Sequence, residues 1–216
     1  MDSCTAAVSK PVLPARLKRR PRPEEDLPAG LEPLESLFEN PAAPLEVEIG
    51  CGKGKFLSNR STVCPEINFL GIDYAGKWMK IGQKRGEKRQ IRNLKFLKVH
   101  ARPILTHYLP AGKVSVFHVY FPDPWPKRRH QKRRVISQEI LGLMRSRLVP
   151  GGKIEIATDF ADYFKSIQEL VRETAVWWGG VKESVNQRLF CPDMKTSYEL
   201  KYEAEGRPLY YMELSL

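Results

Sequence analysis

The chain has 216 residues, 42% hydrophobic and 28% charged, with 36 Lys+Arg against 25 Asp+Glu for a net charge of +11; that is the balance of one folded domain rather than a fibre or a wholly disordered chain. No apolar run reaches the length of a membrane span, and Met1-Asp2-Ser3-Cys4 lacks the basic-then-apolar start of a secretory signal, so a cytoplasmic protein is expected. Cys4, Cys51, Cys64 and Cys191 form no Cys-x-x-Cys pair, which argues for free thiols and against a disulfide framework or any metal site.

Residues 1–40 are rich in Pro, Ala and charge, as in Pro21-Arg22-Pro23-Glu24-Glu25, and sustain neither a period of 2 nor one of 3.6. They read as a basic, partly disordered arm, with Leu34 to Phe38 its first packed turn, ahead of a single domain over 41–216. From Leu45 short apolar strands alternate with longer amphipathic stretches, the pattern of βαβ units and a largely parallel sheet. Strands are expected at Leu45–Ile49, Asn68–Asp73, Leu94–Val99, Val114–Phe121 and Lys153–Thr158, and helices at Gly54–Ser61, Ala75–Gln90, His130–Leu148 and Ala161–Thr174. Ser197–Tyr202 and Leu209–Leu214 alternate around Glu205-Gly206 and predict a terminal antiparallel hairpin. Trp177-Trp178, at the end of the last helix, suits packing at a sheet edge better than base stacking.

The charge is one-sided. The first 150 residues hold 28 basic against 14 acidic residues, and the rest hold 8 against 11. Lys77 to Lys98 contains nine basic residues with Glu87 the sole acid, and Lys127 to Arg134 contains six in eight. Such clustering is the electrostatic footprint of a polyanion, with nucleic acid the leading partner class.

Glu48-Ile49-Gly50-Cys51-Gly52-Lys53-Gly54 follows the first strand and opens the first helix, where glycines let the backbone turn sharply and let a nucleotide-like ligand approach. About twenty residues on, Asp73 ends the next strand, placed to accept both hydroxyls of a ribose; a tight turn with a capping Asp is the plainer alternative. The Gly-x-Gly-x-Gly spacing, and an anionic Glu48 that would repel a pyrophosphate, favour S-adenosyl-L-methionine with its cationic aminoacyl end over a dinucleotide. The fourth strand runs into Phe121-Pro122-Asp123-Pro124-Trp125-Pro126-Lys127, a carboxylate boxed by prolines beside an aromatic ring, suited to holding a planar base. The basic run that follows suits phosphate contacts, a solvated helix face or a localisation signal.

With these motifs the chain resembles the class I S-adenosylmethionine-dependent methyltransferases and, over residues 34–214, the tRNA (guanine-N7-)-methyltransferase family in particular. The matching pieces are Phe121 to Lys127 with His130 and Arg133-Arg134, then Ala157-Thr158-Asp159 with Tyr163, then Thr196-Ser197-Tyr198-Glu199. The resemblance implies an α/β, Rossmann-like fold with a seven-stranded, mostly parallel sheet, a C-terminal antiparallel hairpin and helices on both faces. It implies methyl transfer from S-adenosyl-L-methionine to N7 of guanosine in tRNA, at guanine 46 of the variable loop, by a monomer or homodimer. Carried across, Asp123 is the catalytic residue, and Glu48, Gly50, Gly52, Gly54, Asp73, His100, Ala101 and Asp123 line the cofactor site. Lys127, Asp159, Thr196, Ser197, Tyr198 and Glu199 contact the target nucleotide, and Arg128, Arg129, Lys132, Arg133 and Arg134 face the tRNA backbone. The chain departs from the family at His100, where Asp or Asn is usual, and at Ser197 and Tyr198, where Lys and Phe are usual.

Overall fold

A computed structural model of the protein describes residues 27–216. The basic cluster Arg16 to Arg22, and most of the expected arm, lie outside the described residues. Residues 27–40 pack onto the domain through a 3-10 turn, Leu34–Ser36, with Leu34 and Phe38 buried.

Seven strands form one sheet in the order β3-β2-β1-β4-β5-β7-β6. They are β1 (Leu45–Ile49), β2 (Asn68–Asp73), β3 (Leu94–Lys98), β4 (Val114–Tyr120), β5 (Leu148–Thr158), β6 (Gly180–Val185) and β7 (Tyr210–Ser215). The first five pair in parallel, while β7 pairs antiparallel with both β5 and β6. The helices are α1 (Lys55–Val63), α2 (Gly76–Lys88), α3 (Ala101–Pro103, continued by a π-helical turn Ile104–Tyr108), α4 (Gln138–Arg147), α5 (Ala161–Glu173) and α6 (Ser197–Ala204). None is long and apolar enough to cross a membrane among the described residues.

The two faces of the sheet differ because successive strand residues point to opposite sides. One face carries Val47, Leu70, Ile72, Phe117, Val119, Ile154, Ile156, Met212 and Leu214 against the apolar stripes of α4 and α5. The other carries Glu46 and Glu48 of β1, His118 and Tyr120 of β4, Glu155 of β5, and Tyr211 and Glu213 of β7, all buried. Ions on a buried face require partners. Arg60 of α1 grips Glu46 with Nε 2.5 Å from Oε2 and Nη2 2.6 Å from Oε1. His118 Nε2 stands 3.0 Å from Glu46 Oε2, His118 Nδ1 2.9 Å from the Tyr120 hydroxyl, and that hydroxyl 3.3 Å from Glu155 Oε2.

Two expected elements are corrected. Ser197–Tyr202 is the helix α6, not a strand: the Thr196 hydroxyl accepts from Glu199 N at 3.1 Å and Glu199 Oε2 accepts from Thr196 N at 2.7 Å, a reciprocal cap that nucleates a helix. The hairpin partner of β7 is instead β6, whose Gly-Val-Lys-Glu-Ser-Val is largely exposed at the sheet edge and shows little apolar alternation. His130–Leu148 is likewise not one helix. Arg128–Arg133 is a 3-10 segment, Ser137 caps α4 by accepting from Ile140 N at 3.3 Å, and Leu148 already belongs to β5.

Candidate functional site

The carboxyl ends of β2, β1, β4 and β5 lie side by side, and chain crossovers depart in opposite directions on either side of the β1–β4 pair. A crevice forms at such a point in a doubly wound sheet. Asp73, the glycine loop, Asp123 and Asp159 therefore line one rim, although they are far apart in sequence.

The glycine loop is locked to β2: the N–H groups of Gly50 and Cys51 both donate to Ile72 O, at 2.8 and 3.2 Å. Gly50, Gly52 and Gly54 have φ of +80°, +50° and +59°, a region costly for residues with a Cβ. Their surroundings divide their roles. A Cβ on Gly50 or Gly52 would meet nothing within 4 Å, so the loop offers bare backbone to open space, whereas one on Gly54 would strike the Phe96 ring at 2.5 Å. The first two glycines leave room for a ligand, and the third lets β3 pack against the start of α1.

Asp73 holds the loop with Oδ2, which accepts from Gly52 N at 2.8 Å, and braces the turn before α2 with Oδ1, which accepts from Ala75 N at 2.7 Å. Each oxygen retains a lone pair for a second donor, so this bracing and ribose recognition are compatible. Glu48 is buried beside the loop, and its Oε2 finds no partner. Burial pushes its carboxyl well up; Arg188 opposes this, and the charges of Asp73 and Glu199 add to it. A cation arriving there would replace the proton. The His100 ring, half-buried, stacks on Tyr74 at 5.2 Å and 5° between planes, extending an aromatic wall from the end of β2. Orphaned buried carboxyl, open glycine loop, ribose-type carboxylate and flat aromatic wall together fit an adenosyl group with a cationic tail.

Asp123 is exposed at the head of a loop under backbone strain, with φ of +51° at Phe121 and +44° at Trp125. Arg134, expected at the tRNA backbone, turns inward: Nε donates to Pro124 O at 2.8 Å, Nη1 to Ser166 Oγ at 2.9 Å, and the guanidinium lies 4.5 Å from the Tyr163 ring. It straps the loop down. Arg133 covers Trp125 at 5.0 Å, and His130 meets the same indole edge-on at 5.8 Å, so the basic segment folds back onto the proline loop. Lys127, Arg128, Arg129 and Lys132 remain exposed.

The Thr-x-x-Glu segment joins this rim through aromatic rings. Phe121 lies 6.3 Å from Tyr198 and 5.7 Å from Tyr202, and Ser197 and Tyr198 are exposed. The polar atoms of Thr196 and Glu199, however, are spent within the protein. Beyond the helix cap, Glu199 accepts from Arg188 Nη1 at 2.6 Å through both oxygens and from the Tyr211 hydroxyl at 3.0 Å, and it is fully buried. Asp159 is paired as well, Oδ2 accepting from Arg207 Nη1 at 2.9 Å.

Sequence reasoning missed Arg188 and Arg207. Arg188 is buried between the rings of Tyr120, 4.3 Å away, and Phe56, 5.2 Å away, and is the cation facing Glu48, Glu155 and Glu199. Nothing in Asn186-Gln187-Arg188-Leu189 signals this, since only the return of the chain across the sheet brings it there. Trp178 is buried, donating from Nε1 to Thr174 Oγ1 at 3.2 Å, in the packing role expected for it.

A family model described as "Putative methyltransferase" matches residues 42–212. A tRNA (guanine-N(7)-)-methyltransferase of Geobacter metallireducens is 33% identical over 82% of this chain and 83% of its own length. One of Rhodopirellula baltica is 37% identical over 95% and 77%. Among solved structures, the 16S rRNA methyltransferase KamB superposes with a TM-score of 0.62 at 18% identity, covering 85% of this chain and 90% of that one. A Haemonchus contortus phosphoethanolamine N-methyltransferase in complex with S-adenosyl-L-methionine superposes at 0.53 and 12% identity, covering 81% and 48%. At these identities the structural matches establish the class I methyltransferase fold alone.

Proposed function

The chain belongs to the tRNA (guanine-N7-)-methyltransferase family, and on that premise we propose that it transfers a methyl group from S-adenosyl-L-methionine to N7 of guanine 46 in the tRNA variable loop, acting in the cytoplasm as a monomer or homodimer. The observation that carries the reading is the single rim on which the sheet order sets Asp73, the Gly50–Gly54 loop, Asp123 and Asp159.

S-adenosyl-L-methionine, when bound, supplies an electrophilic methyl group on a sulfonium. Gly50, Gly52 and Gly54 would cradle it, Asp73 would accept from its ribose, Glu48 would face its cationic end, and His100 and Ala101 would flank its adenine. Guanine N7 already carries an in-plane lone pair, so no proton has to leave before attack and a general base is unnecessary. The protein's task is alignment, together with stabilising positive charge as it develops on the purine. Asp123 suits both: it accepts from guanine N1–H and the N2 amino group, and its negative charge offsets the developing cation. Lys127 and Asp159 complete the base contacts, with Asp159 released from Arg207 as the nucleotide enters. Ser197 and Tyr198 supply the accessible contacts of the Thr-x-x-Glu segment, and Thr196 and Glu199 act by holding α6 in place. Arg128, Arg129, Lys132 and Arg133 lie beside the loop, where they attract phosphates.

The test is transfer of labelled methyl from S-adenosyl-L-methionine to unmodified bulk tRNA, followed by nucleoside analysis and mapping of the modified position. The expected product is 7-methylguanosine at position 46. Cofactor binding without methyl transfer would point to a missing partner or another RNA, and failure to bind the cofactor would favour an RNA-binding scaffold that keeps the fold.

A further inference from the structure

The exposed side of α2 carries chemistry that the methyl-transfer site does not use. Lys77, Lys80, Lys84 and Lys88 are all exposed at helical i, i+3, i+7 and i+11 positions, and so share one stripe over about 16 Å of helix. None of the four is ion-paired among the described residues. The arginines nearby are committed to the fold: Arg85 donates to Lys53 O at 3.1 Å, and Arg89 donates to Asn59 Oδ1 at 3.1 Å. Guanidinium groups hold the helix, and ammonium groups are left in water.

Trp78 borders this stripe. It is 45% exposed, with Lys53 Nζ 4.8 Å and Lys77 Nζ 5.5 Å from the ring centroid. Ile81 is 40% exposed beside it, and Tyr74, 61% exposed and stacked on His100, continues the aromatic surface toward the crevice. An indole left in solvent between two ammonium groups wants a flat partner, and the lysines around it specify an anionic one. RNA supplies both, phosphates for the ammonium groups and an unstacked base for the indole. A lipid surface fits poorly, because Trp78 and Ile81 are the only large apolar side chains of α2 that stand exposed, too few for an inserted face.

We propose that the exposed face of α2 is a second tRNA-docking surface, separate from the Asp123 loop, on which Lys77, Lys80, Lys84 and Lys88 meet the phosphodiester backbone and Trp78 stacks on an unpaired base. This rests on the chain's acting on tRNA and adds where, beyond the target nucleotide, the RNA is held.

The experiment measures binding of full-length protein to unmodified tRNA and, separately, to heparin, across a salt series. The variants are Lys80→Ala/Lys84→Ala/Lys88→Ala, Trp78→Ala and Trp78→Phe, with cofactor affinity by calorimetry reporting that each is folded. The triple variant should weaken tRNA binding at least about tenfold and flatten the log-log salt slope by about 2 to 3. Trp78→Ala should weaken tRNA binding by about fivefold or more and leave heparin binding unchanged, and Trp78→Phe should restore most of the loss. An unchanged salt slope in the triple variant overturns the proposal. So does a Trp78→Ala effect that is absent, or equal for tRNA and heparin, which would mark a general anionic surface. Failure of the enzymatic reading shows separately, as absence of 7-methylguanosine from the wild-type reaction.

Discussion

The buried ions each answer to a particular neighbour. Across β1, β4 and β5 the Tyr120 hydroxyl donates to Glu155 Oε2 and stands beside His118 Nδ1, while His118 Nε2 faces Glu46 Oε2. Glu46 and Glu155 titrate in opposite directions. Burial opposes ionisation of Glu46, but the Arg60 hydrogen bonds and then His118 outweigh it and hold the carboxyl lowered to about 2. Burial, with Glu213 adding and Arg188 opposing, leaves Glu155 raised to about 8, and burial keeps His118 neutral by lowering its pKa. The two carboxylates therefore affect stability with opposite sign. Glu46 stabilises above its ordinary value near 4.5, an effect lost as pH falls toward 2. Protonated Glu155 stabilises below 4.5, and that contribution is lost as pH rises from 4.5 through 8. The urea midpoint of Glu155→Gln should accordingly climb relative to the parent between about pH 5 and pH 8; parallel midpoints would show Glu155 already ionised in the fold. Glu199→Ala strands the buried Arg188 and should cost about 3–5 kcal/mol by urea denaturation, since an unpaired buried charge is far costlier than a lost surface pair. Asp123, exposed and strapped only through its loop, behaves differently: Asp123→Asn should keep the urea midpoint and lower kcat/KM for tRNA by about 10²–10³. Near-normal turnover of that variant would remove the catalytic assignment.

Individual elements show where local sequence misleads. Tyr198, Leu200 and Tyr202 alternate with polar residues as a strand would, yet Tyr198 and Tyr202 are also i, i+4 neighbours, with rings 5.9 Å apart in α6. The Thr196–Glu199 cap decides between the two patterns, so its signal outranks six residues of alternation. Thr196→Ala should destabilise the protein by about 1 kcal/mol and, by loosening Tyr198 beside Phe121, raise KM for tRNA more than it lowers kcat; equal effects on both would place α6 outside base binding. The basic segment Arg128–Arg133 is short because its arginines have separate duties: Arg133 covers Trp125, while Arg128 and Arg129 stay in solvent. Arg128→Ala with Arg129→Ala should weaken tRNA binding and reduce its salt slope by about 1 to 2, measured as the change in log affinity with log salt. An unchanged slope would take both residues off the interface.

For the whole molecule, β7 is the structural keystone, since it lies between β5 and β6 and is reached only at the end of the chain. Removing residues 209–216 would leave one edge of β5 and the whole of β6 unpaired and take Met212 and Leu214 out of the core, so the truncated chain should lack near-ultraviolet circular dichroism; a native spectrum would show that the parallel strands fold without it. The strand positions β1 to β5, the glycine loop, Asp73 and the proline-boxed Asp123 were legible in the sequence, because each is a local signal: a run of apolar residues, or a backbone geometry that only certain residues accept. The chemistry of the crevice was legible for the same reason, and so was the class of partner, because net charge and its clustering do not depend on the fold. What tertiary structure alone decided is which polar groups remain available. Glu199, Thr196, Asp159 and Arg134 carry the right chemistry for substrate contact, but Arg188 and Arg207 pair with Glu199 and Asp159, Glu199 caps Thr196 and Pro124 holds Arg134, while Glu48 keeps an oxygen unpaired. A hydrogen bond depends on the positions of both partners in space, and here those partners lie up to 48 residues apart.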